Sequence, residues 1–246
     1  MKSNVQTKLS INVNKIATIR NSRGKNLPDV LQVSQDLIKF GAQGITVHPR
    51  PDGRHIRRED VYLLKKNINV EFNIEGYPSD DFIEMCCEVE PEQVTLVPDP
   101  PEALTSNAGF VVSKQIKLLE NALSKFKSSK LRVSVFVENN LVKADIDALK
   151  KMGCDRVELY TEDYSDHFGT ARQSETTKKY IQTAELASAN GLGINAGHDL
   201  NLKNLEHFSK AIPNLLEVSI GHAFVCDSLY FGFEATMKKY LKCLAR

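Results

Sequence analysis

Three histidines, two glutamates and a set of amides and cations recur in this chain at one kind of position, the end of a short β-type run. Asn12, Asn14 and Lys15 follow one run, His48 and Arg50 another, and Glu75, Glu158, His198 and the pair Gly221-His222 close four more. Imidazoles and carboxylates are the side chains that exchange protons in an enzyme site, and arginine or lysine beside them neutralises a phosphate. The runs leading to these residues alternate: Ile11-Asn12-Val13-Asn14, Ile45-Thr46-Val47-His48, Phe72-Asn73-Ile74-Glu75 and Val218-Ser219-Ile220-Gly221-His222. Strands of a parallel sheet covered by helices on both faces read instead as near-continuous apolar stretches. Here the apolar set can face helices while the polar set points into the middle of the sheet. Burying those groups unpaired would cost roughly 2–7 kcal/mol each. A polar lumen, whose groups pair with one another or with a polar ligand, removes the conflict.

The densest cationic segment is His48-Pro-Arg50 with Arg54-His55. It offers guanidinium forks for a phosphate and an imidazole donor at His55, and Arg20 and Arg23 extend the positive wall. A solvated charged loop is the plainer reading. Asn195-Ala-Gly-His198 and Ile220-Gly-His222-Ala place small residues where backbone N–H groups can approach an anion. The loops after strands 7 and 8 of a barrel are a frequent phosphate site. Two phosphate sites would suit two phosphorylated substrates. A metal centre is the competing chemistry, but no H-x-H or H-E-x-x-H spacing occurs and the neighbouring cations oppose a divalent ion, so no metal is expected. A Schiff base at Lys15 is weakly supported; an anion contact suits that residue better. Cys154 falls at the opposite end of its strand and reads as core, and His167 and His207 read as surface residues.

The elements that must position these groups alternate strand and helix. Strands are expected at about Leu9–Ala17, Ile45–His48, Val70–Glu75, Val94–Val97, Arg132–Val137, Arg156–Tyr160, Leu192–Ala196 and Leu215–Ile220. Helices follow the start signals Pro28-Asp29 (stripe Val30, Val33, Leu37, Ile38) and Pro78-Ser79-Asp80 (Phe82, Met85, Cys86). Others contain Val61, Leu63 and Leu64, or lie within Ser113–Lys127, Leu141–Met152, a stretch ending at Ala189 and Leu202–Ala211. A last helix carries Leu229, Phe233, Met237, Tyr240 and Leu241. Eight such units in 246 residues fit a (β/α)8 barrel, typically about 250 residues, as one domain over residues 1–246. A doubly wound sheet is the runner-up, against which the first β–α turn lacks G-x-G-x-x-G. Pro98–Gly109 is long and rich in proline and small residues, as a lid would be.

A net charge of +1 supplies no field for nucleic acid or an anionic membrane. Five cysteines without a C-x-x-C spacing fit a reducing cytoplasm better than a disulfide framework. Neither a signal peptide nor a membrane span is expected. From the residues, the chain is a cytoplasmic barrel enzyme acting on phosphorylated metabolites. A single-substrate aldolase or isomerase and a non-catalytic phosphometabolite-binding barrel remain as alternatives.

The set Asn12-Val-Asn14-Lys15…Arg20-Asn-Ser-Arg23-Gly24, Gly44-Ile-Thr-Val-His48-Pro-Arg50, Arg54-His55-Ile56, Asn73-Ile-Glu75, Leu96-Val-Pro98, Asn195-Ala-Gly-His198 and Ile220-Gly-His222-Ala223 resembles the pyridoxine 5′-phosphate synthase family, collinearly over nearly the whole chain. The resemblance implies a (β/α)8 barrel with a few extra short helices, assembled as an octamer. It implies condensation of 1-deoxy-D-xylulose 5-phosphate with 3-amino-2-oxopropyl phosphate to pyridoxine 5′-phosphate, inorganic phosphate and water, without metal or organic cofactor. It makes His48 and Glu75 bases and His198 a proton donor. The amino-ketone phosphate would lie near Asn12, Arg23, Asp199, Gly221 and His222, and the deoxyxylulose phosphate near Asn14, Lys15, Arg50, His55 and Thr105. Flanking arginines should hold His48 neutral, and desolvation should raise Glu75. Two positions depart from the family pattern: Asn14-Lys15 replaces the Asp-His of many members, and Asp199 replaces a glycine. The Asp199 amide could still serve a phosphate if its side chain turned away.

Overall fold

The computed structural model describes residues 6–99 and 108–245. Its strands are β1 (Lys8–Asn12), β2 (Gly44–Val47), β3 (Glu71–Gly76), β4 (Gln93–Leu96), β5 (Val133–Val137), β6 (Arg156–Leu159), β7 (Gly193–Ala196) and β8 (Leu215–Ile220). Each pairs in parallel with the next, and β8 pairs with β1, so the sheet closes into a barrel in sequence order. Ile11 thereby aligns with Ile45 on one side and Ile220 on the other. The register shifts once, at Ile194/Asn195 between β7 and β8.

Eight helices form the outer layer: α2 (Val30–Lys39), α3 (Arg58–Asn67), α4 (Asp80–Val89), α5 (Val112–Ser128), α6 (Lys143–Met152), α8 (Gln173–Ala189), α9 (Leu205–Ala211) and α11 (Phe233–Leu244). Three more interrupt β-to-α connections: α1 (Asn14–Asn21), α7 (Glu162–His167) and α10 (His222–Phe231). These are the extra helices that the resemblance implies, and all three lie at the barrel mouth. Start signals act as expected: Asp29 accepts from the Leu31 and Gln32 amides, and Ser79 from the Phe82 amide. No helix among the described residues is long and apolar enough to cross a membrane.

The chain leaves the first strand earlier than the sequence pattern predicts. The Asn12 side chain accepts from the Asn14 amide, Ile16 N–H bonds back to Val13 C=O, and the segment expected to extend to Ala17 coils into α1. Its buried residues, Ile16, Ala17 and Arg20, have a helical period. The C-terminal helix is two helices, divided at Gly232, whose φ of +76° suits glycine. Leu229, on α10, is 75% exposed, and Leu63 on α3 is 46% exposed, so both apolar residues face outward from their helices.

Alternation along the strands sorts two environments. Leu9, Ile11, Ile45, Val47, Phe72, Ile74, Val94, Leu96, Val133 and Val135 are essentially fully buried in the layer between sheet and helices. The opposite faces fill the lumen with polar groups that bond across it. Ser10 Oγ lies 2.8 Å from Thr46 Oγ1, Thr95 Oγ1 donates to Asn73 Oδ1 at 3.0 Å, and Asn195 Nδ2 donates to Gln93 Oε1 at 3.3 Å. Towards the bottom, Glu71 pairs with Lys8 and Arg132, and Arg156 bridges Asn195 Oδ1 and Glu217. The polar lumen foreseen from alternation is thus real and largely self-paired. Cys154 is buried at the lower end, its Sγ 2.9 Å from Arg156 C=O, and burial raises its thiol to about 12; it is core, as read.

Arg20, expected in an open cationic wall, is instead buried. Its guanidinium holds both carboxylate oxygens of Asp60 at 2.5 and 2.8 Å and donates to His55 C=O at 3.1 Å. Asn21 Nδ2 bonds the same carbonyl, so α1 and α3 together clamp the loop that carries His55. Breaking a buried ion pair from one side strands the other charge, at about 3–5 kcal/mol. Arg20→Ala should therefore lower stability by that order in urea denaturation. A loss below about 1 kcal/mol, typical of exposed pairs, would show that the clamp does not hold the loop.

Candidate active site

Closing the barrel brings the strand ends to one mouth, over a cavity of about 690 Å³. Its lining includes Asn12, Asn14, Lys15, His48, His55, Glu75, Glu158, His198, Asp199, Gly221 and His222. Most of the residues singled out from sequence are therefore brought together. Three are not. Arg23 is exposed beyond α1 and absent from the lining. Arg50 is buried in an ion pair with Asp99 at 2.9 Å rather than lining the cavity. Thr105, and with it most of the expected lid, lies outside the described residues.

Local hydrogen bonds fix the floor. Asn12 Nδ2 donates to Glu75 Oε2 at 3.3 Å, while Asn14 Oδ1 accepts from the His48 amide at 2.9 Å. Two amides thus tie the start of α1 to the ends of β2 and β3. At Gly221 a Cβ would sit 3.0 Å from Asn12 Cβ, so any larger residue there would press on Asn12. At Gly197 a Cβ would sit 1.9 Å from Ser219 C=O, so only glycine lets β7 and β8 meet below His198. The first residues of α1 and of α10 both line the cavity, giving it two helix N-termini with their partial positive charge.

Electrostatics separate the histidines. His48 lies well below its ordinary value, first because it is buried, then because Arg50, His55, His198 and Arg54 surround it. Its expected neutrality holds, but desolvation outweighs the arginines as the cause. His55 falls to about 4 through burial and the cations Arg50, Lys15 and Arg54. Its Nδ1 accepts from the Ile56 amide at 2.9 Å, so the neutral ring carries its proton on Nε2 and can donate from there. His198 goes the other way. Burial works to lower it, but the hydrogen bond and charge of Asp199, with Glu158 and Asp99 behind, raise it. Its ring is framed by Phe136 and Tyr160, with centroids 6.3 and 6.1 Å away. His207 is exposed, as read, whereas His167 is partly buried and pairs with Asp163 on α7.

Glu75 and Glu158 are both pushed above the carboxylate range, by burial first. Asp99 and Glu217 add to the effect on Glu75, and Glu75 itself adds to that on Glu158. Glu158 Oε2 and Ser219 Oγ are buried without a hydrogen-bond partner among the described residues. Sequence reasoning gave Ser219 no role, nor Asn201, Thr18 or Phe136, which also line the cavity. The alternation that exposed Ser219 as inward-facing was its only signal. At Asp199 the expected geometry is reversed: its amide donates to Thr161 Oγ1 at 3.2 Å, and its carboxylate accepts from His198 Nδ1 at 2.9 Å. Among the described residues, no group of three or more His, Cys, Asp or Glu is placed to hold a metal ion.

The raised Glu75 has a consequence for stability. Its folded value lies above its unfolded one, so the stability tied to its proton is complete below the ordinary carboxylate value. That stability is lost as pH rises through the folded value. Glu75→Gln lacks this dependence and should unfold at a higher temperature than the native protein at pH 8–9, with the gap closing towards pH 4. Roughly 2–4 °C accompanies each kcal/mol recovered. A gap independent of pH would show that Glu75 is ionised in the folded protein.

The chain matches the family described as "Pyridoxal phosphate biosynthesis protein PdxJ" over residues 9–246. It is 54% identical to pyridoxine 5′-phosphate synthase of Parabacteroides distasonis, covering 97% of this chain and 99% of that one. It is 52% identical to the protein of the same name from Cytophaga hutchinsonii, covering 98% and 100%. Solved structures share the fold at much lower identity. 3-Keto-L-gulonate-6-phosphate decarboxylase from Vibrio cholerae superimposes with a TM-score of 0.67 at 10% identity over 98% of each chain. A tryptophan synthase chain from M. tuberculosis gives 0.67 at 11%, over 99% of this chain and 94% of that one. With a closed eight-stranded barrel and a family match running from the first strand to the last residue, the chain belongs to the PdxJ family of pyridoxal phosphate biosynthesis proteins.

Proposed function

We propose that the chain is a pyridoxine 5′-phosphate synthase. It joins 1-deoxy-D-xylulose 5-phosphate to 3-amino-2-oxopropyl phosphate and releases inorganic phosphate and water. The observation that carries this reading is the pairing, in one cavity, of an imidazole pushed towards its neutral form with a second imidazole held by a carboxylate in contact and pushed towards its charged form, beside a buried glutamate. Condensing an amine with a ketone requires a base to take a proton from nitrogen and an acid to release hydroxide from the carbinolamine. The later enolisations require the same exchange at carbon. His48, neutral at working pH, accepts the first proton. Glu75 accepts from carbon in its ionised form, which the hydrogen bond donated by Asn12 favours. His198 delivers a proton to departing water or phosphate. Glu158, neutral by burial and by repulsion from Glu75, is placed to donate a hydrogen bond to an oxygen on which charge develops.

The two helix N-termini divide the substrates. Gly221, His222 and the first amides of α10, with Asn12, serve the amino-ketone phosphate. Asn14, Lys15 and the Nε2–H of His55 at the start of α1 serve the deoxyxylulose phosphate. Arg50 acts on this second site through its charge and its pairing with Asp99. Residues from the connection after β4 would close over both and exclude water from the imine. The octameric assembly of chains in the cytoplasm belongs to the same proposal, and light scattering of the purified protein measures its mass.

An assay of the purified protein with both phosphates, following pyridoxine 5′-phosphate and inorganic phosphate, tests the reading. Product should form only when both are present; turnover of either alone would assign a single-substrate barrel enzyme instead. The division of sites is checked by Lys15→Met. Loss of a charged hydrogen bond worth about 1.5–3 kcal/mol should raise KM for the deoxyxylulose phosphate roughly 10- to 100-fold. The other KM should stay nearly constant, and equal weakening of both would dismiss the two-site map.

A further inference from the structure

We propose that Asp199 is a positioning residue for the proton donor: its carboxylate holds His198 through Nδ1 and keeps the imidazole charged and oriented. The inference rests on the synthase reading above and assigns to Asp199 a task different from phosphate binding. Two adjacent residues seldom meet side chain to side chain without help from the backbone, and here the backbone is held at several points. The Asp199 amide donates to Thr161 Oγ1, and its carbonyl accepts from Asn201 Nδ2 at 3.3 Å and Asn204 Nδ2 at 3.4 Å. Leu200 N–H bonds back to Gly197 C=O at 2.8 Å, closing a tight turn on the glycine that only fits without a Cβ. The turn therefore presents the carboxylate to Nδ1 and the ring to Phe136 and Tyr160, which limit its rotation.

The chemical effect follows from which nitrogen is engaged. A carboxylate accepting from Nδ1–H favours the imidazolium, whose transferable proton is then the one on Nε2. Burial of the ring opposes this charge, and Asp199 supplies the largest opposition to burial. The other groups facing His198 are Glu158 from β6 and Asp99 from beyond β4, both of which favour its charge, and His48 from β2, which is neutral. Glu158 is itself shifted towards its neutral form, so the anion in direct contact is Asp199. In the dehydration assigned to His198, the nitrogen lone pair of the carbinolamine forms the C=N bond, the C–O bond breaks, Nε2–H passes its proton to the departing oxygen, and the neutral ring regains a proton from solvent before the next cycle.

Asp199→Asn keeps an acceptor oxygen of nearly the same shape and removes only the charge. The side chain is 27% exposed, so the exchange is tolerable for folding, and circular dichroism verifies it. With ¹⁵N-histidine labelling, the His198 titration in the variant should move down by about one pH unit, tenfold in protonated fraction at fixed pH. The alkaline limb of kcat, set by loss of the acid, should move down by the same amount, while both KM values change less than about twofold. Asp199→Glu should recover part of both shifts. An unmoved His198 titration, or a raised KM for the amino-ketone phosphate with kcat intact, would overturn the proposal and return Asp199 to phosphate binding. A moved titration in a protein that turns over neither substrate supports the Asp199–His198 coupling and refutes only the synthase reading.

Discussion

Everything at the mouth of this barrel depends on the lumen beneath it being polar and nearly closed to water. Polar side chains inside a sheet are costly unless paired, and from the bottom of the barrel to its middle most are: Glu71 with Lys8 and Arg132, Arg156 with Asn195 and Glu217, Asn73 with Thr95. This network carries the weight of packing that apolar layers carry in other barrels. Among the described residues, Gln93 Nε2 and Ser134 Oγ lack partners within the lumen, and Ser219 Oγ and Glu158 Oε2 lack them where the lumen opens into the cavity. An unsatisfied buried carboxyl is destabilising, so its retention beside Glu75 is the mark of a site whose complement is a polar ligand.

The same low-dielectric setting holds two imidazoles that shift in opposite directions. His48 and His198 both line one cavity and both lose water, which drives each towards neutrality. Cations of the β2–α3 connection reinforce the trend at His48. At His198 a carboxylate in contact reverses it. The two imidazoles are therefore shifted apart by the identity of one neighbour, not by a difference in residue type. The glutamates illustrate the converse: buried without a cation in contact, both rise, Glu75 with the charges of Asp99 and Glu217 behind it and Glu158 with that of Glu75.

Alternating polarity along the strands made the barrel and its polar interior legible, because a period of two is a direct record of which face is which. The strand-end residues His48, Glu75, Glu158, His198 and His222 followed from topology alone. What escaped was whatever depends on pairing across long sequence separations. Arg20 looked like one more surface cation, since nothing local marks Asp60 as its partner 40 residues on. Arg50 looked like a phosphate fork, since Asp99 is farther still. The early end of β1 was hidden for a different reason: Ile11, Val13 and Ala17 fit an alternating pattern as well as a helical one. Asn12 decides between them by capturing the Asn14 amide. Ser219 was visible as inward-facing, but a lone serine carries no chemistry until its neighbours are known.

The departures from the family pattern become coherent when charge is followed through the cavity. At position 14 the side chain must accept a hydrogen bond from the His48 amide, and Asn14 Oδ1 does so at 2.9 Å. The oxygen is retained and the charge that an aspartate would bring is lost. At position 199, where a glycine would leave only backbone, this chain adds a carboxylate in contact with His198. One negative charge has in effect moved from the floor near His48 to the wall at His198. An anion near His48 would raise it towards the protonated form, so its absence favours the neutral ring that burial already selects. The same anion beside His198 favours the charged ring. Lys15, at the start of α1, then stands beside an amide instead of a carboxylate, and its charge remains available to a phosphate rather than being spent on an internal pair.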